Sequence, residues 1–159
     1  MKREKFLWPL TGEHHEALMM CRKIRQTIEI IHGDGAGSPL EKLSAQVIGF
    51  FEEKLKPHFA AEERIAETLA GHKGKTGESV IRLYGEHKRL KSLAGNGSLE
   101  ALAAFAEELE AHIRFEENTF FPLLELDLTE KEKETAGLDL KESLFSCASK
   151  SLENLKEFK

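Results

Sequence analysis

Apolar residues recur every three or four positions along most of this 159-residue chain, and glycine-rich or proline-containing stretches interrupt the pattern. Such spacing places apolar side chains on one face of an α-helix, whereas a half-buried β-strand requires alternation with a period of two. No segment alternates in that way, and the sequence therefore predicts an all-α fold. The predicted buried face of the first helix consists of Leu7, Leu10, His14, Leu18, Cys21, Ile24, Ile28 and Ile31.

Three similar helices are predicted after the first. Pro57 lies inside the second helix, where it removes the hydrogen bond to the carbonyl of Glu53 and is expected to kink the helix. Ser98 is expected to cap the fourth helix by accepting a hydrogen bond from a free backbone amide. The predicted faces are Leu40, Leu43, Val47, Phe51, Leu55, His58, Glu62, Ile65 and Leu69 in the second helix, Val80, Leu83, His87, Leu90 and Ala94 in the third, and Leu102, Phe105, Leu109, His112, Glu116, Phe120 and Leu123 in the fourth.

A fifth helical segment covers roughly residues 130–158, and Thr129 with Glu132 predicts a capping box at its start. An interruption is expected near Gly137. We predict an up-down-up-down four-helix bundle over residues 1–128 and an additional C-terminal helix over 129–159, packed on the bundle or at an interface between chains. The apolar face of this tail consists of Leu140, Leu144, Ala148, Leu152 and Leu155.

Composition excludes several classes of function. The formal net charge is −5 and no basic stripe is present, which argues against a nucleic-acid partner. No run approaches the roughly 18 apolar residues of a membrane span, and we expect no membrane association. The two cysteines, Cys21 and Cys147, are too few for a disulfide scaffold and fit a reducing, cytoplasmic compartment. Cys21 is expected to be a buried, unreactive thiol.

Polar residues on the predicted buried faces indicate a metal site. Each of the four bundle helices places one histidine on its buried face, and two of them place a glutamate one turn later. A buried imidazole or carboxylate without a partner is costly, and a shared metal would satisfy all of them. The candidate metal ligands are His14, His58, Glu62, His87, His112 and Glu116.

An internal repeat supports this selection. The segment Leu10-Thr-Gly-Glu-His14 matches Leu83-Tyr-Gly-Glu-His87, and His58-Phe-Ala-Ala-Glu62-Glu63 matches His112-Ile-Arg-Phe-Glu116-Glu117. The first two helices therefore echo the next two, as expected for a site with pseudo-two-fold symmetry. The helical faces favour the first glutamate of each Glu-Glu pair, and the second one stays an alternative ligand.

The donor types narrow the choice of metal. Ferritin-like sites use Glu-x-x-His, but Leu55 and Leu109 stand three residues before His58 and His112. Imidazole with carboxylate suits iron or manganese better than calcium or magnesium, which prefer oxygen ligands. A closed, four-coordinate zinc site would leave some of the candidate ligands without a metal.

These motifs, together with Phe120-Phe121-Pro122, resemble those of the hemerythrin-like, HHE cation-binding domains over roughly residues 6–128. The resemblance implies an up-down-up-down bundle around a non-haem centre of two iron ions, bridged by carboxylates and by an oxo or hydroxo group, that binds dioxygen or nitric oxide. It further implies terminal imidazoles from His14, His58, His87 and His112 and bridging carboxylates from Glu62 and Glu116.

The chain departs from the oxygen-carrying hemerythrins in two places. Leu83 stands where their third helix has a second histidine, and the last carboxylate follows its histidine by four residues rather than five, as in the bacterial HHE group. The candidate ligands supply about eight donor atoms against about ten to twelve positions on two irons. We therefore expect ligand sensing or iron handling in preference to reversible oxygen carriage.

Two other classes of function stay open at this stage: a diiron enzyme of peroxidase-like or iron-oxidising type, and an interaction module with a structural metal. The chain is expected to be a monomer or a homodimer. His15 is expected at the surface or behind a ligand, His32 and His72 at helix ends, and Tyr84 either in the site or packed beside it.

Overall fold

The computed structural model describes residues 2–34 and 38–157, with side chains at 2–31 and 39–144. Short turns connect helices in those ranges, and no β-strand is present within them, which confirms the all-α prediction. After a 3₁₀ turn at Lys5–Leu7, the helices are α1 (Trp8–Asp34), α2 (Ser38–Phe50), α3 (Lys56–Glu67), α4 (Lys75–Asn96), α5 (Leu99–Phe115), α6 (Phe121–Asp127) and α7 (Glu130–Glu157). None of the described helices is long and apolar enough to cross a membrane.

Two five-residue π turns join successive helices into longer rods. Phe51–Leu55 connects α2 to α3, and Glu116–Phe120 connects α5 to α6. A proline is the second residue of each following helix, Pro57 in α3 and Pro122 in α6. A proline ring collides with the carbonyl four residues earlier in a regular α-helix, and a wider turn moves that carbonyl aside. The distortion expected at Pro57 therefore takes the form of a π turn ahead of it.

Apolar side chains form two clusters at different levels of the rods. The first cluster joins α1, α2, α3, α4 and α5 and includes Ile24, Val47, Leu90 and Phe105. The second joins the N-terminal turn with α1, α3, α4, α5, α6 and α7 and includes Leu10, Ile65, Leu83 and Leu140. Burial of both clusters removes apolar surface from water and is the main force holding the rods together. Each rod therefore passes through two apolar levels.

Most residues of the predicted faces are buried; Ile28, Leu40 and Val80 are half-buried against the clusters, and Leu18 and Leu123 depart from the predicted positions. Leu18 is 41% exposed and the buried position belongs to Ala17, because each residue turns the helix by about 100° and Leu18 falls at the edge of the face. Leu123 is half-buried, while Phe121 and Leu124 are buried. The π turn at Glu116–Phe120 lengthens the local repeat and moves the buried positions along by one residue.

The predicted helix starts are confirmed in two places. The Ser98 hydroxyl accepts a hydrogen bond from the amide of Ala101 at 3.1 Å. Thr129 and Glu132 form the reciprocal capping box, with the Thr129 amide donating to the Glu132 carboxylate at 2.9 Å and the Glu132 amide donating to the Thr129 hydroxyl at 3.2 Å.

The predicted interruption near Gly137 is wrong, since α7 runs through this residue without a break. Gly137 instead permits close packing, because a Cβ atom there would lie 3.3 Å from the Cβ of Phe6 in the N-terminal turn. Leu140 and Leu144 of α7 are buried in the second apolar cluster. The side chains of Ala148, Leu152 and Leu155, also assigned to the tail's apolar face, lie outside the described residues.

Candidate metal centre

The four histidines and two glutamates predicted as metal ligands form one polar layer between the two apolar clusters. On α1, for example, Leu10 belongs to the second cluster and Ala17 to the first, with His14 between them. All six residues are buried, with at most 4% of the surface of any one exposed. We call this group the donor set: His14, His58, Glu62, His87, His112 and Glu116.

The imidazole Nε2 atoms of the donor set point at the two carboxylates. One Glu62 oxygen lies 2.9 Å from His58 Nε2, and its other oxygen lies 3.2 Å from His87 Nε2. Glu116 Oε1 lies 3.3 Å from His14 Nε2 and 3.1 Å from His112 Nε2. Two ligands at right angles on one metal, each about 2.1 Å from it, are about 3.0 Å apart, so these separations suit neighbouring positions around a metal ion.

The donor set divides into two overlapping groups of four, each with its donor atoms within 4.8 Å of one another. His14 and His58 form one group with Glu62 and Glu116, while His87 and His112 form the other with the same two glutamates. The imidazole rings pair accordingly, with centroids 5.2 Å apart in the first group and 4.9 Å in the second. This arrangement could hold two metal ions that share both carboxylates.

Unpartnered polar atoms supply a direct test of that fit. Among the described side chains, both oxygens of Glu62 and Glu116 and the Nε2 atoms of His14, His87 and His112 are buried without a hydrogen-bond partner. Buried polar groups are normally satisfied, and an unsatisfied one requires an explanation such as a bound ion. Imidazole nitrogens and carboxylate oxygens converging in this way fit a transition metal such as iron.

A second layer of glutamates holds the outer nitrogen of every imidazole. We call these residues the outer glutamates. Each is adjacent in sequence to a member of the donor set, and each contacts a histidine of a neighbouring rod. The pairs and their Nδ1–carboxylate distances are His14–Glu117 at 2.7 Å, His112–Glu86 at 3.2 Å, His87–Glu63 at 2.8 Å and His58–Glu13 at 2.8 Å.

These contacts form a closed ring. The histidine of each rod contacts an outer glutamate of one neighbouring rod, and the outer glutamate of the same rod contacts the histidine of the other neighbour. An ionised carboxylate can only accept, so Nδ1 carries the hydrogen and donates it outward, while Nε2 faces the donor set. Carboxylates behind metal-binding histidines orient the ring and raise its basicity in this way. The outer glutamates therefore preorganise the four imidazoles.

This role of the outer glutamates was not predicted from the sequence. Glu63 and Glu117 were expected only as alternative ligands, and no role was expected for Glu13 or Glu86. The signal was nevertheless present, because the repeated Leu-x-Gly-Glu-His segment carries Glu13 and Glu86, and the repeated Glu-Glu pairs carry the other two. A repeated residue beside a repeated ligand is the pattern that could have identified them.

Two arginines support part of the outer layer. Arg3 donates to the backbone carbonyl of Glu117 at 2.6 Å and pairs with its carboxylate at 3.2 Å. Arg82 pairs with Glu86. Burial would raise the pKa of Glu86, but hydrogen bonds from His112 and Arg82 outweigh it and lower that pKa below its usual value. Glu86 therefore stays ionised and able to accept from the imidazole.

The carboxylates also control the protonation of the donor set. Burial alone would lower the pKa of His14, but the neighbouring carboxylates of Glu116, Glu117 and Glu62 raise it to about 11. Burial is likewise outweighed at His58, where Glu62 and Glu13 raise the pKa to about 9. These imidazoles therefore bind protons tightly wherever no metal competes for the same nitrogen.

Phenylalanine rings cover two of the imidazoles. Phe59 stacks on His87 with ring centroids 3.9 Å apart and planes 9° from parallel, and Phe121 stacks on His14 at 5.5 Å and 5°. Both phenylalanines are buried, so they replace water beside the polar layer with apolar surface. The site is thereby placed in a medium of low polarity.

None of the other histidines and tyrosines with described side chains belongs to the two groups of four donors. His15 and His72 are exposed, and the side chain of His32 lies outside the described residues. The Tyr84 hydroxyl donates to the backbone carbonyl of Glu63 at 3.3 Å. Cys21 is a free, buried thiol, and burial raises its pKa to about 11, in keeping with an unreactive role.

Comparison with known families agrees with the geometry. The model of the hemerythrin HHE cation binding domain family matches residues 7–124, which run from the start of α1 into α6 and include the whole donor set. No curated protein and no solved structure matches the chain. Because the match covers most of the sequence and every rod that supplies a donor, this chain belongs to the hemerythrin HHE cation-binding domain family.

Proposed function

We propose that this protein binds two iron ions in its polar layer and uses them to bind dioxygen or nitric oxide, or to sense or handle iron. The observation that carries the proposal is the pair of overlapping four-donor groups that share Glu62 and Glu116. A carboxylate shared by two groups of imidazoles is suited to bridging two cations. Iron is favoured over calcium or magnesium because half of the donor atoms are imidazole nitrogens.

Several features favour sensing or iron handling over reversible oxygen carriage. The donor set supplies about eight donor atoms, fewer than the roughly ten to twelve positions on two irons. The third helix of oxygen-carrying hemerythrins has a second histidine where this chain has Leu83, and Leu83 is fully buried. A non-haem iron pair with such open positions supplies redox-active sites for a small ligand.

The protein's own residues prepare the site for that role. The outer glutamates hold Nδ1–H of each imidazole, which keeps Nε2 directed inward before a metal arrives. The two apolar clusters and the stacked rings of Phe59 and Phe121 exclude water from the surroundings of the donor set. Exclusion of water protects a reactive centre from side reactions.

The architecture we propose around this centre is an up-down-up-down four-helix bundle with α7 as an additional helix. Its four members are α1, the α2–α3 rod, α4 and the α5–α6 rod. Residues 1–128 form the bundle and 129–159 the tail in this proposal, supported by the packing of Leu140 and Leu144 in the second apolar cluster. The protein is proposed to act in the cytoplasm, as a monomer or a homodimer.

Metal analysis with an absorption spectrum tests the proposal. Protein purified in air from iron-supplied cells is expected to contain about two irons per chain and to show near-ultraviolet bands of bridged ferric iron. One zinc per chain, or no metal after growth with iron, would contradict the diiron assignment. A stable oxygenated form that releases its ligand under vacuum would contradict the preference for sensing or iron handling.

A further inference from the structure

Two of the four outer glutamates are paired with an arginine, and the other two are not. The ion pairs are Arg3–Glu117 at 3.2 Å and Arg82–Glu86 at 2.5 Å. Within the part of the chain whose side chains are described, Glu13 and Glu63 each form an ion pair only with the histidine that they hold. The repeat matches Glu13 with Glu86 and Glu63 with Glu117. The arginines therefore break the pseudo-two-fold symmetry of the outer layer.

Arg3 approaches His14 along two routes. Its guanidinium pairs with the carboxylate of Glu117, which accepts the hydrogen bond from His14 Nδ1 at 2.7 Å. The same guanidinium lies over the Phe121 ring, 5.5 Å from its centroid, and that ring stacks on the imidazole of His14. Arg3 also pairs with Glu125, so two carboxylates share its charge. The side chain of Arg3 is only 19% exposed, and water therefore screens its charge weakly.

Arg82 repeats this arrangement beside His112. It pairs with Glu86, which accepts the hydrogen bond from His112 Nδ1 at 3.2 Å. Its guanidinium lies 4.0 Å from the centroid of the Phe115 ring, and that centroid is 6.3 Å from the centroid of the His112 ring. The side chain of Arg82 is 55% exposed. Water and salt therefore screen its charge more strongly than that of Arg3.

The two histidines with an arginine behind them lie against the same carboxylate of the donor set. His14 and His112 place Nε2 nearest to one oxygen of Glu116, at 3.3 and 3.1 Å. The imidazoles without an arginine, those of His58 and His87, lie nearest to the other carboxylate. Each four-donor group contains one histidine of each kind. Each proposed metal position therefore has one imidazole whose outer glutamate is partly neutralised and one whose outer glutamate is not.

Three lysines stand near one of the glutamates without an arginine. Lys56, Lys88 and Lys91 line an opening of the surface together with Glu63. All three lysines are exposed, and Lys56 pairs with Glu52 at 3.3 Å. Exposed charges that make no close contact with a carboxylate interact with it weakly through water. These lysines therefore do not replace an arginine at Glu63.

We propose that Arg3 and Arg82 are positioning residues that raise the reduction potential of the iron pair, acting through Glu117 and Glu86. A full negative charge on an outer glutamate makes the imidazole that it holds more basic and a stronger donor to a metal. An arginine on the same carboxylate offsets that charge, so the imidazole donates less. Weaker donation disfavours the ferric ion more than the ferrous ion, because the ferric ion carries the higher charge. This inference rests on the proposed function, since it concerns the iron of the same centre.

An anaerobic redox titration of the iron-loaded protein, followed by absorption, tests this inference. Dithionite supplies the electron that converts each ferric ion to ferrous iron. Arg3→Gln removes the positive charge, and the ratio of ferric to ferrous affinity is expected to rise about tenfold. That change lowers the midpoint potential by about 59 mV for a one-electron step. Arg3→Lys keeps the charge and is expected to stay near the wild-type potential.

Arg82→Gln is expected to lower the potential in the same direction by a smaller amount, because the exposed side chain of Arg82 is screened by solvent. Its shift is expected to shrink further as salt is added, whereas the shift in Arg3→Gln depends less on salt. Arg25→Gln is the matched control, because Arg25 on α1 pairs with Glu110 on α5, which is not an outer glutamate. Its potential is expected to equal that of the wild type.

A double-mutant cycle tests the route through Glu117. Glu117→Gln removes the charge that Arg3 offsets, so adding Arg3→Gln to this variant is expected to shift the potential less than it does in the wild type. An equal shift in both backgrounds would overturn the assignment, because Arg3 would then act without Glu117. Iron content is measured in every variant and is expected to stay at about two per chain, since no donor is changed.

The N-terminal segment could move in Arg3→Gln, and the single tryptophan of the chain reports such a movement. The indole of Trp8 donates to the backbone carbonyl of Arg3 at 3.0 Å, so its fluorescence would change if the segment left its place. Arg82→Gln then carries the test, because Arg82 lies within α4.

The outcomes separate this inference from the proposed function. Wild-type protein that holds no iron overturns both. Wild-type protein with two irons, and with unchanged potentials in Arg3→Gln and Arg82→Gln, overturns this inference alone. A shift in Arg25→Gln as large as that in Arg3→Gln would also overturn it, as would an Arg3→Lys variant with the potential of Arg3→Gln, because the effect would then not depend on a positive charge at an outer glutamate.

Discussion

The donor set and the outer glutamates are neighbours in sequence but differ in their surroundings. Glu62 is fully buried, while the side chain of the adjacent Glu63 is 36% exposed. The same contrast holds between Glu116 and Glu117, whose side chains are 1% and 26% exposed. Adjacent residues differ by about 100° around a helix. One glutamate of each pair can therefore contact a metal, while the other can only hydrogen-bond to a histidine that contacts it. The two layers should therefore contribute very differently to metal binding.

The largest expected effect is the loss of both metals from a single change in the inner layer. Glu62→Ala removes a carboxylate that belongs to both four-donor groups, and the iron content is expected to fall from about two per chain to near zero. The apolar clusters on either side are unchanged, so helix content is expected to persist. Metal analysis and far-ultraviolet circular dichroism on the same sample measure both quantities.

Glu67→Ala is the matched control for Glu62→Ala, because Glu67 is an exposed glutamate on the same helix, α3. Its iron content is expected to equal that of the wild type. Retention of two irons in Glu62→Ala would show that Glu62 does not bridge, and the alternative glutamate, Glu63, would then be the ligand to examine.

Sequence alone identified the inner layer because that layer obeys helical geometry within single segments. Buried positions recur every 3.6 residues, so a histidine such as His14 on an apolar face is conspicuous without knowledge of the fold. The repeat then separated His14 from His15, and the structure places the former in the donor set and the latter at the surface. Both arguments use only local spacing.

The outer layer could not be derived in the same way, because its contacts join different rods. In the sequence, Glu13 resembles any surface glutamate of α1. Only the packing of α3 beside α1 brings its carboxylate within 2.8 Å of His58 Nδ1. Leu123 shows a second limit, since a π turn shifted the buried positions by one residue. Partner identity and local changes in helix pitch both depend on tertiary packing.

The next largest effect concerns pH, because protons would compete with a bound metal for the imidazoles of the inner layer. The carboxylates raise the pKa values of His14 and His112 to about 11 and about 10, despite the opposing effect of burial. Metal must displace these protons, so metal affinity is expected to rise with pH, by about tenfold per unit for each proton released. Competition with a chelator at pH 6, 7 and 8 measures this dependence.

The stability of the chelated protein is expected to have the opposite sign. A histidine whose folded pKa exceeds its unfolded value stabilises the fold fully below about pH 6.5, and this contribution is lost as pH rises through the folded pKa. For His58 and His112 that loss falls near pH 9 and 10. A chelated protein whose thermal unfolding temperature rises between pH 7 and 10 would contradict this account of the carboxylates.

The smallest expected effect comes from the outer layer. Glu86→Gln keeps the shape of the side chain and can still accept from His112 Nδ1, but it removes the negative charge that makes the imidazole more basic. Metal affinity is expected to fall by about tenfold, in chelator competition, with two irons still bound at saturation. Glu108→Gln is the control, because Glu108 is only partly buried on α5 and pairs only with Arg89 among the described side chains. Loss of all metal in Glu86→Gln, as expected for Glu62→Ala, would contradict the distinction between the two layers. Metal binding would then depend on negative charge near the site and not on a donor atom in contact with the metal.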